Sequence, residues 1–448
     1  MNHLNPLSHS RGVVQEREES HVSTKLHRVL KGSLASLTAS VVTVGLLSAA
    51  PAHGADGPPG FFTIKGSGWG HGVGLSQYGA KAMAEAGHSA HGILRHYYSG
   101  TAIGRAEDSR VISVNVRYQS RGFVARLRSL ERGGRLNVCA MRGGRCVASH
   151  GITDSSAGSR TAGSIRVYRY RDRVRARVTD QNGRARTVTG TRIRIRWSGT
   201  RYMRGDAAVL RMDNAREYRH GQMLVYRGGA GRVNAILRLR LQEEYLRGIA
   251  EMPSSWHYRA LRAQAIIART YALKTGAGRK SDCDCHLRDS VVHQAYSGWG
   301  KESEGTNARY GRRWVAAVNA TDNRVLRYGG ALAGTYYYSS SGGHTLNSQD
   351  VWSSRVPYLQ SVDDRWSLTA ANPNRSWSTR LSQSRASSMF GITKVLRVEV
   401  TSRYEGGAVR AVTAYGPRRT KTISGKADYM RSRFGLKSAW ISSITPAR

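Results

Sequence analysis

Leu241-Gln-Glu243-Glu244-Tyr245-Leu246-Arg247-Gly248-Ile249-Ala250-Glu251-Met252-Pro253-Ser254-Ser255-Trp256, continued by Ala260-Leu-Arg-Ala-Gln264-Ala-Ile-Ile-Ala-Arg269-Thr-Tyr271-Ala, is the stretch on which the reading of this chain turns. Its first half reads as a helix stopped by Pro253, because the residue before a proline is pushed out of the α region. Ser254-Ser255 then offers a cap for a second helix, in which Leu261, Ala265, Ala268 and Ala272 recur at helical spacing and Gln264, Thr270 and Tyr271 add polar groups. Glu251 falls at the junction, beside Met252 and Trp256. A carboxyl in apolar company has its pKa raised, which a general acid working near neutrality requires. The ordinary fate of a helix glutamate is a solvated face, so position alone does not make Glu251 catalytic.

Working outward, the chain is 448 residues long and carries 70 Lys+Arg against 29 Asp+Glu, so 70 − 29 gives a net charge of +41. Such a field expects polyanionic partners. A hydrophobic fraction of 40%, with nine Trp and 22 Tyr, can fill cores and excludes a disordered basic tail. From Val111 to Arg240 the pattern runs with period two: Arg173-Val-Arg-Ala-Arg-Val and Arg192-Ile-Arg-Ile-Arg-Trp alternate strictly, and Asp180-Gln-Asn182-Gly183 is a turn signal. Alternation expects an antiparallel sheet with one solvated basic face. Near the N-terminus, Lys25, His27, Arg28 and Lys31 precede the uncharged stretch Gly32 to Ala52, the layout of a secretory signal too diluted by Ser, Thr and Gly for a membrane anchor. Secretion to the cell wall or medium is expected, with no stable membrane span in the mature chain and wall polymers, not nucleic acid, as partners.

Disulfides fit that compartment. Cys139 and Cys146 bracket a glycine turn and are expected to meet across a hairpin, whereas Cys283-Asp-Cys285-His286 with His293 reads either as a local disulfide or as a cramped zinc inventory. Gly66-Ser-Gly68-Trp69-Gly70-His71-Gly72-Val-Gly74-Leu-Ser76-Gln77 satisfies neither G-x-G-x-x-G nor G-K-[ST], so a dinucleotide or P-loop site is rejected on spacing. It reads as a strand, a tight loop and a helix beginning near Ser76, with a second helix from about His91 to Tyr98.

Glu243 to Trp256 with Ala260 to Ala272 closely resembles the hallmark of the stage II sporulation protein D family, also called the amidase-enhancer or LytB family. Gln294-Ala-Tyr296-Ser-Gly, Tyr338-Ser-Ser-Ser341-Gly342-Gly343-His344-Thr345 and Val356-Pro357-Tyr358-Leu359 match in order, and the glycine loop with Ile93-Leu-Arg-His-Tyr97-Tyr98-Ser-Gly100 is similar too. The resemblance implies an α+β fold: a mixed helical and antiparallel β catalytic domain of SpoIID type with an inserted or preceding basic β-rich module. The divisions expected are residues 1-55 (signal and extension), 56-104 (glycine-loop segment), 105-235 (basic module) and 236-448 (catalytic domain).

The same resemblance implies a lytic transglycosylase acting on peptidoglycan glycan strands, or a wall-binding partner that stimulates an amidase. Glu251 stands where the family has its catalytic acid. Trp69, His71, Gln264, Arg269, Tyr271, Gln294, Tyr296, Ser340, Ser341, Gly343 and His344 are the candidate substrate-binding residues. No cofactor is expected and no metal site is assigned, because Val292-His293 replaces the His-Cys pair that sporulation members carry before Gln-x-Tyr. Asp350, Asp363 and Asp364 are the candidates for a second carboxylate, which a hydrolase would need. The glycine loop lies near the C-terminus in sporulation-type members and precedes the catalytic segment here. A permuted order would account for that if residues 61 to 80 pack beside both Glu251 and residues 425 to 445.

Overall fold

In a computed structural model, residues 57–131, 133–154 and 161–448 are described. The secretory-signal reading concerns residues 1-55 and lies outside them. No helix among the described residues is long and apolar enough to cross a membrane.

The alternating arginines become antiparallel strands, as their period requires. Arg192–Trp197 buries Ile193, Ile195 and Trp197 and turns Arg192, Arg194 and Arg196 outward. This strand lies between Arg135–Arg142 and Gln222–Arg227 in a seven-stranded sheet, which continues through Val233–Arg240 and Val111–Ser120 to a short parallel edge, Leu287–Arg288. A six-stranded sheet contains Thr161–Tyr170, Arg173–Thr179 and Ala185–Gly190. The apolar faces of both sheets contribute to one core, with Val174, Ala176 and Val178 clustered with Ile193, Ile195 and Trp197. Cys139–Cys146 forms a disulfide on the hairpin of Arg135–Arg142 and Arg145–Thr153, and Cys283 bonds Cys285, which removes both sulfurs from any zinc set.

The same core runs on into the helical part. Tyr258–Thr275 buries Leu261, Ala265, Ala268 and Ala272, the residues whose spacing marked a helix. Its cap is His257, not Ser254 or Ser255: the His257 side chain accepts from Arg259 N–H. Ser254 is occupied elsewhere, its N–H and Oγ both donating to Glu304, at 3.1 and 2.6 Å.

The expected helix up to Pro253 is the larger correction. Leu241–Tyr245 is a single π turn and Leu246–Gly248 a single 3-10 turn, after which Ile249 is extended. Tertiary contact overrides propensity here. A Cβ on Gly248 would come within 2.4 Å of the Tyr296 ring, and the straightened chain pairs with its neighbour through Ala250 N–H to Ala295 O at 2.9 Å. Glu251 therefore sits in a bend just after an extended stretch pinned against residues 295 to 297, not at a helix end.

Phe61–Ser67 is the central strand of a three-stranded sheet, flanked by Trp377–Ser382 and Trp440–Ala447. Phe62 and Ile64 anchor a second core with Trp377, Val398, Val412 and Phe434. The ends of the described region thus meet, Phe61 opposite Ala447.

Candidate active site

The glycine loop follows directly from that central strand, and its backbone decides what reaches the cleft. Gly70 has φ +121°, and a Cβ there would lie 2.7 Å from Tyr338 Cβ. Only glycine permits so close an approach. The loop pairs with the far segment through Trp69 N–H to Ser340 O at 2.7 Å, and Leu75–Ser76 pairs in parallel with Tyr337–Tyr338. Ser76 then caps the helix Gln77–Glu85 by accepting from Gly79 N–H, and Gln77 Nε2 donates to the Glu251 carbonyl at 2.9 Å.

Glu251 is half-buried, and its Oε1 accepts from Ala295 N–H at 2.6 Å. Burial pushes its pKa up from 4.5, with Asp289 adding to the rise. Hydrogen bonds from Ala295 N–H and the Tyr337 hydroxyl, together with Lys301, offset part of it. Tyr337 is itself oriented: Gln294 Nε2 donates to its hydroxyl oxygen at 3.3 Å, and Gln294 Oε1 accepts from Tyr245 at 3.1 Å. That chain of donors leaves the Tyr337 proton directed at Glu251.

The carboxyl opens on a cleft of about 440 Å³ walled by Trp69, His71, Tyr271, Tyr336 and Trp352, with Val291 to His293 on one lip. Among the described residues, Glu251 is the only carboxylate lining it. His71 is held neutral: Nδ1 accepts from Val73 N–H and Nε2 donates to Tyr337 O, both at 3.1 Å, while burial pushes its pKa down to about 4. With both nitrogens engaged, His71 braces the loop and has no free base to offer.

The remaining expectations divide sharply. Trp69, 50% exposed, and Tyr271 line the cleft. Gln264 and Gln294 are fully buried behind its wall, Gln264 Oε1 lying 3.5 Å from Gln77 Nε2. Arg269 is not in the cleft: it is fully buried and pairs with Asp108 at 2.5 Å. Tyr296 is likewise interior, stacked between Tyr218 and Tyr245. Ser340 and Ser341 are buried, Ser341 Oγ donating to Asp364 at 2.6 Å and accepting from Gly343 N–H, so these two serines support the wall, and of the serine turn only Ser339 lines the cleft. His344 is exposed on a bridge to Asp363, away from the cleft.

None of the three candidate second carboxylates lines the cleft. Asp364 is buried and bonded to Tyr97 at 2.6 Å, Asp363 pairs with Arg365, and Asp350 accepts from Asn347. The described residues contain no group of three or more His, Cys, Asp or Glu side chains placed to hold a metal.

Sequence reasoning missed Tyr336, Tyr337, Trp352 and the Ala295 N–H. The aromatic run Tyr336-Tyr-Tyr338 was a visible signal, and its last residue opens the segment whose serines drew attention.

Fold and site together define an α+β protein with a single acid set in an aromatic cleft. Residues 230–328, which include Glu251 and Gln294 but stop short of Tyr336, match the family model described as Stage II sporulation protein, SpoIID. The chain is 38% identical over 134 residues to the amidase enhancer of Bacillus subtilis strain 168, covering 30% of this chain and 16% of that protein. It is 27% identical over 216 residues to the stage II sporulation protein D of the same organism and over 208 residues to that of Bacillus amyloliquefaciens, covering 44% of this chain and 58% of either relative. The chain thus spans about a sixth of one relative and little more than half of the others. Residues 230–328 are thus a segment of the stage II sporulation protein, SpoIID, type.

Proposed function

We propose that this chain is a secreted peptidoglycan-remodelling protein, a lytic transglycosylase with Glu251 as general acid and then base. The protonated carboxyl gives its proton to the glycosidic oxygen as the bond to the muramic-acid C1 breaks. The resulting carboxylate takes the proton of that sugar's C6 hydroxyl as its oxygen closes on C1. The products are a 1,6-anhydro end and a new free hydroxyl, with no water consumed and the acid regenerated. One carboxyl suffices for this sequence, whereas hydrolases place two across the bond. The observation that carries the reading is that, among the described residues, Glu251 is the only carboxylate on the aromatic cleft and its pKa is raised by burial. Trp69, Tyr271, Tyr336 and Trp352 offer ring faces to sugars.

The divisions 56-104, 105-235 and 236-448 and the permuted order belong to the same proposal. Contacts of the glycine loop with both Glu251, through Gln77, and the C-terminal segment, through Gly70 N–H to Lys437 O at 3.0 Å, support that order. The partners are glycan strands and anionic wall polymers.

The test is digestion of purified peptidoglycan, with and without stem peptides, by the wild type and Glu251→Gln, reading anhydro ends by mass. A second reading, a non-catalytic enhancer of a wall amidase, is favoured by the 38% identity to a protein named for that role. It predicts no products from either form and faster turnover of an added amidase with both.

A further inference from the structure

The seven-stranded sheet buries one face, and on the other Arg192, Arg194, Arg196 and Arg238 gather. Pairing sets Arg192 opposite Tyr226, Arg194 opposite Leu224 and Arg238 opposite Gln222, so these side chains project to one side. With Arg196, and with Arg227 from the end of its strand, they line a groove of about 770 Å³. Among the described residues, none of the five is in an ion pair. The one carboxylate lining the groove, Asp172, lies 3.8 Å from Arg173 instead. Arg194 Nε is buried with no hydrogen-bond partner, and Arg196 Nε is satisfied only by Gln222, at 2.9 Å.

Like charges gathered on one sheet face cost stability, so folding alone does not maintain this arrangement. The floor is fixed on both flanks. Cys139, opposite Arg194 on the adjoining strand, is bonded to Cys146. On the far side the bonded pair Cys283 and Cys285 packs on Ile236, with Tyr226 against that cluster.

We propose that this groove is a binding site for a polyol-phosphate polymer, a chain of phosphodiesters, held by Arg192, Arg194, Arg196, Arg227 and Arg238. Guanidinium forks match phosphate oxygens in pairs, and Arg192, Arg194 and Arg196 recur about 7 Å apart along one strand, a row suited to a repeating anion. A polyol phosphate is preferred to single-stranded nucleic acid because the Tyr226 ring is covered by the Arg192 guanidinium at 4.7 Å and packs on the disulfide cluster, leaving no face for a base to stack on. This site shares with the proposed function only its setting in the wall, and its test involves no glycan cleavage, so either can fail alone.

The experiment is equilibrium binding of labelled poly(glycerol phosphate) to the full chain at about 150 mM salt, where weak surface attraction is screened. The triple variant Arg192→Gln, Arg194→Gln, Arg238→Gln is compared with Arg418→Gln, Arg419→Gln, Lys421→Gln, which removes the same charge from exposed residues outside the groove. The groove variant is expected to bind at least tenfold more weakly and the control within about twofold of wild type. Equal losses in both would reduce the effect to net charge and overturn the site. A lysine version of the groove triple keeps charge and fold but loses the forks; it is expected to bind severalfold more weakly, and wild-type affinity would overturn the site as well. An oligonucleotide of equal phosphate count that binds as tightly as the polyol phosphate, and loses as much in the groove variant, would overturn the choice of ligand.

Discussion

At the scale of single residues, Glu251 is poised by two opposing influences: burial raises its pKa from 4.5 while Ala295 N–H and Tyr337 O–H stabilise the carboxylate. In the proposed reaction the reacting form is protonated, so cleavage is expected to fall as pH rises through the raised value. Tyr337→Phe removes one donor to the charged form and is expected to move that limb to higher pH, with turnover reduced roughly tenfold; a pH–rate profile with an unmoved limb would remove Tyr337 from the site. Linkage gives a second expectation. A carboxyl with a raised folded-state pKa has its favourable contribution in full below the unfolded value and loses it as pH rises through the folded one. Glu251→Gln should therefore melt above wild type at pH 7, and the gap should close as pH falls below 4.5. Thermal melts at several pH values check this. Glu251 was legible in the sequence because a local motif marks it. Tyr337 was not, because only the parallel pairing of Leu75–Ser76 with Tyr337–Tyr338, across more than 250 residues, brings it to the carboxyl.

At the scale of elements, the alternating strands and the helix Tyr258–Thr275 followed from period and composition, since each buries a face of its own. The segment Leu241 to Pro253 did not, because its extended end is set by pairing with residues 295 to 297. The glycine loop is the element on which the cleft depends. Gly70→Ala puts a Cβ at positive φ 2.7 Å from Tyr338 Cβ, and is expected to cost about 1–3 kcal/mol. Trp69 and His71 would be displaced with it. The prediction is a lower melting midpoint together with weaker binding of glycan oligomers; a variant that melts lower yet binds normally would show that the loop does not shape the cleft.

At the scale of the whole molecule, the arginine groove and the acid Glu251 lie in different clefts of the described region. The outward arginines lie on a sheet face of their own, and the cleft is lined by aromatic rings, one carboxyl and no Arg or Lys. Retention on anionic polymer and cleavage of glycan are thus assigned to different surfaces. The described region is also closed by its first and last strands: Phe61–Ser67 is sandwiched between Trp377–Ser382 and Trp440–Ala447. Deleting residues 440 to 448 would uncover Phe62 and Ile64, and is expected to abolish cooperative unfolding of the second core in calorimetry. No spacing in the sequence shows that closure; it was legible only through the misplaced glycine loop and the permuted order it suggested. The central claim is that Glu251 alone carries the proton in both halves of the reaction. It is tested most directly by mass analysis of purified glycan strands after digestion with wild type and Glu251→Gln. The account predicts 1,6-anhydro ends from the wild type and a loss of about a hundredfold or more in the variant; anhydro ends at an undiminished rate from Glu251→Gln would contradict it.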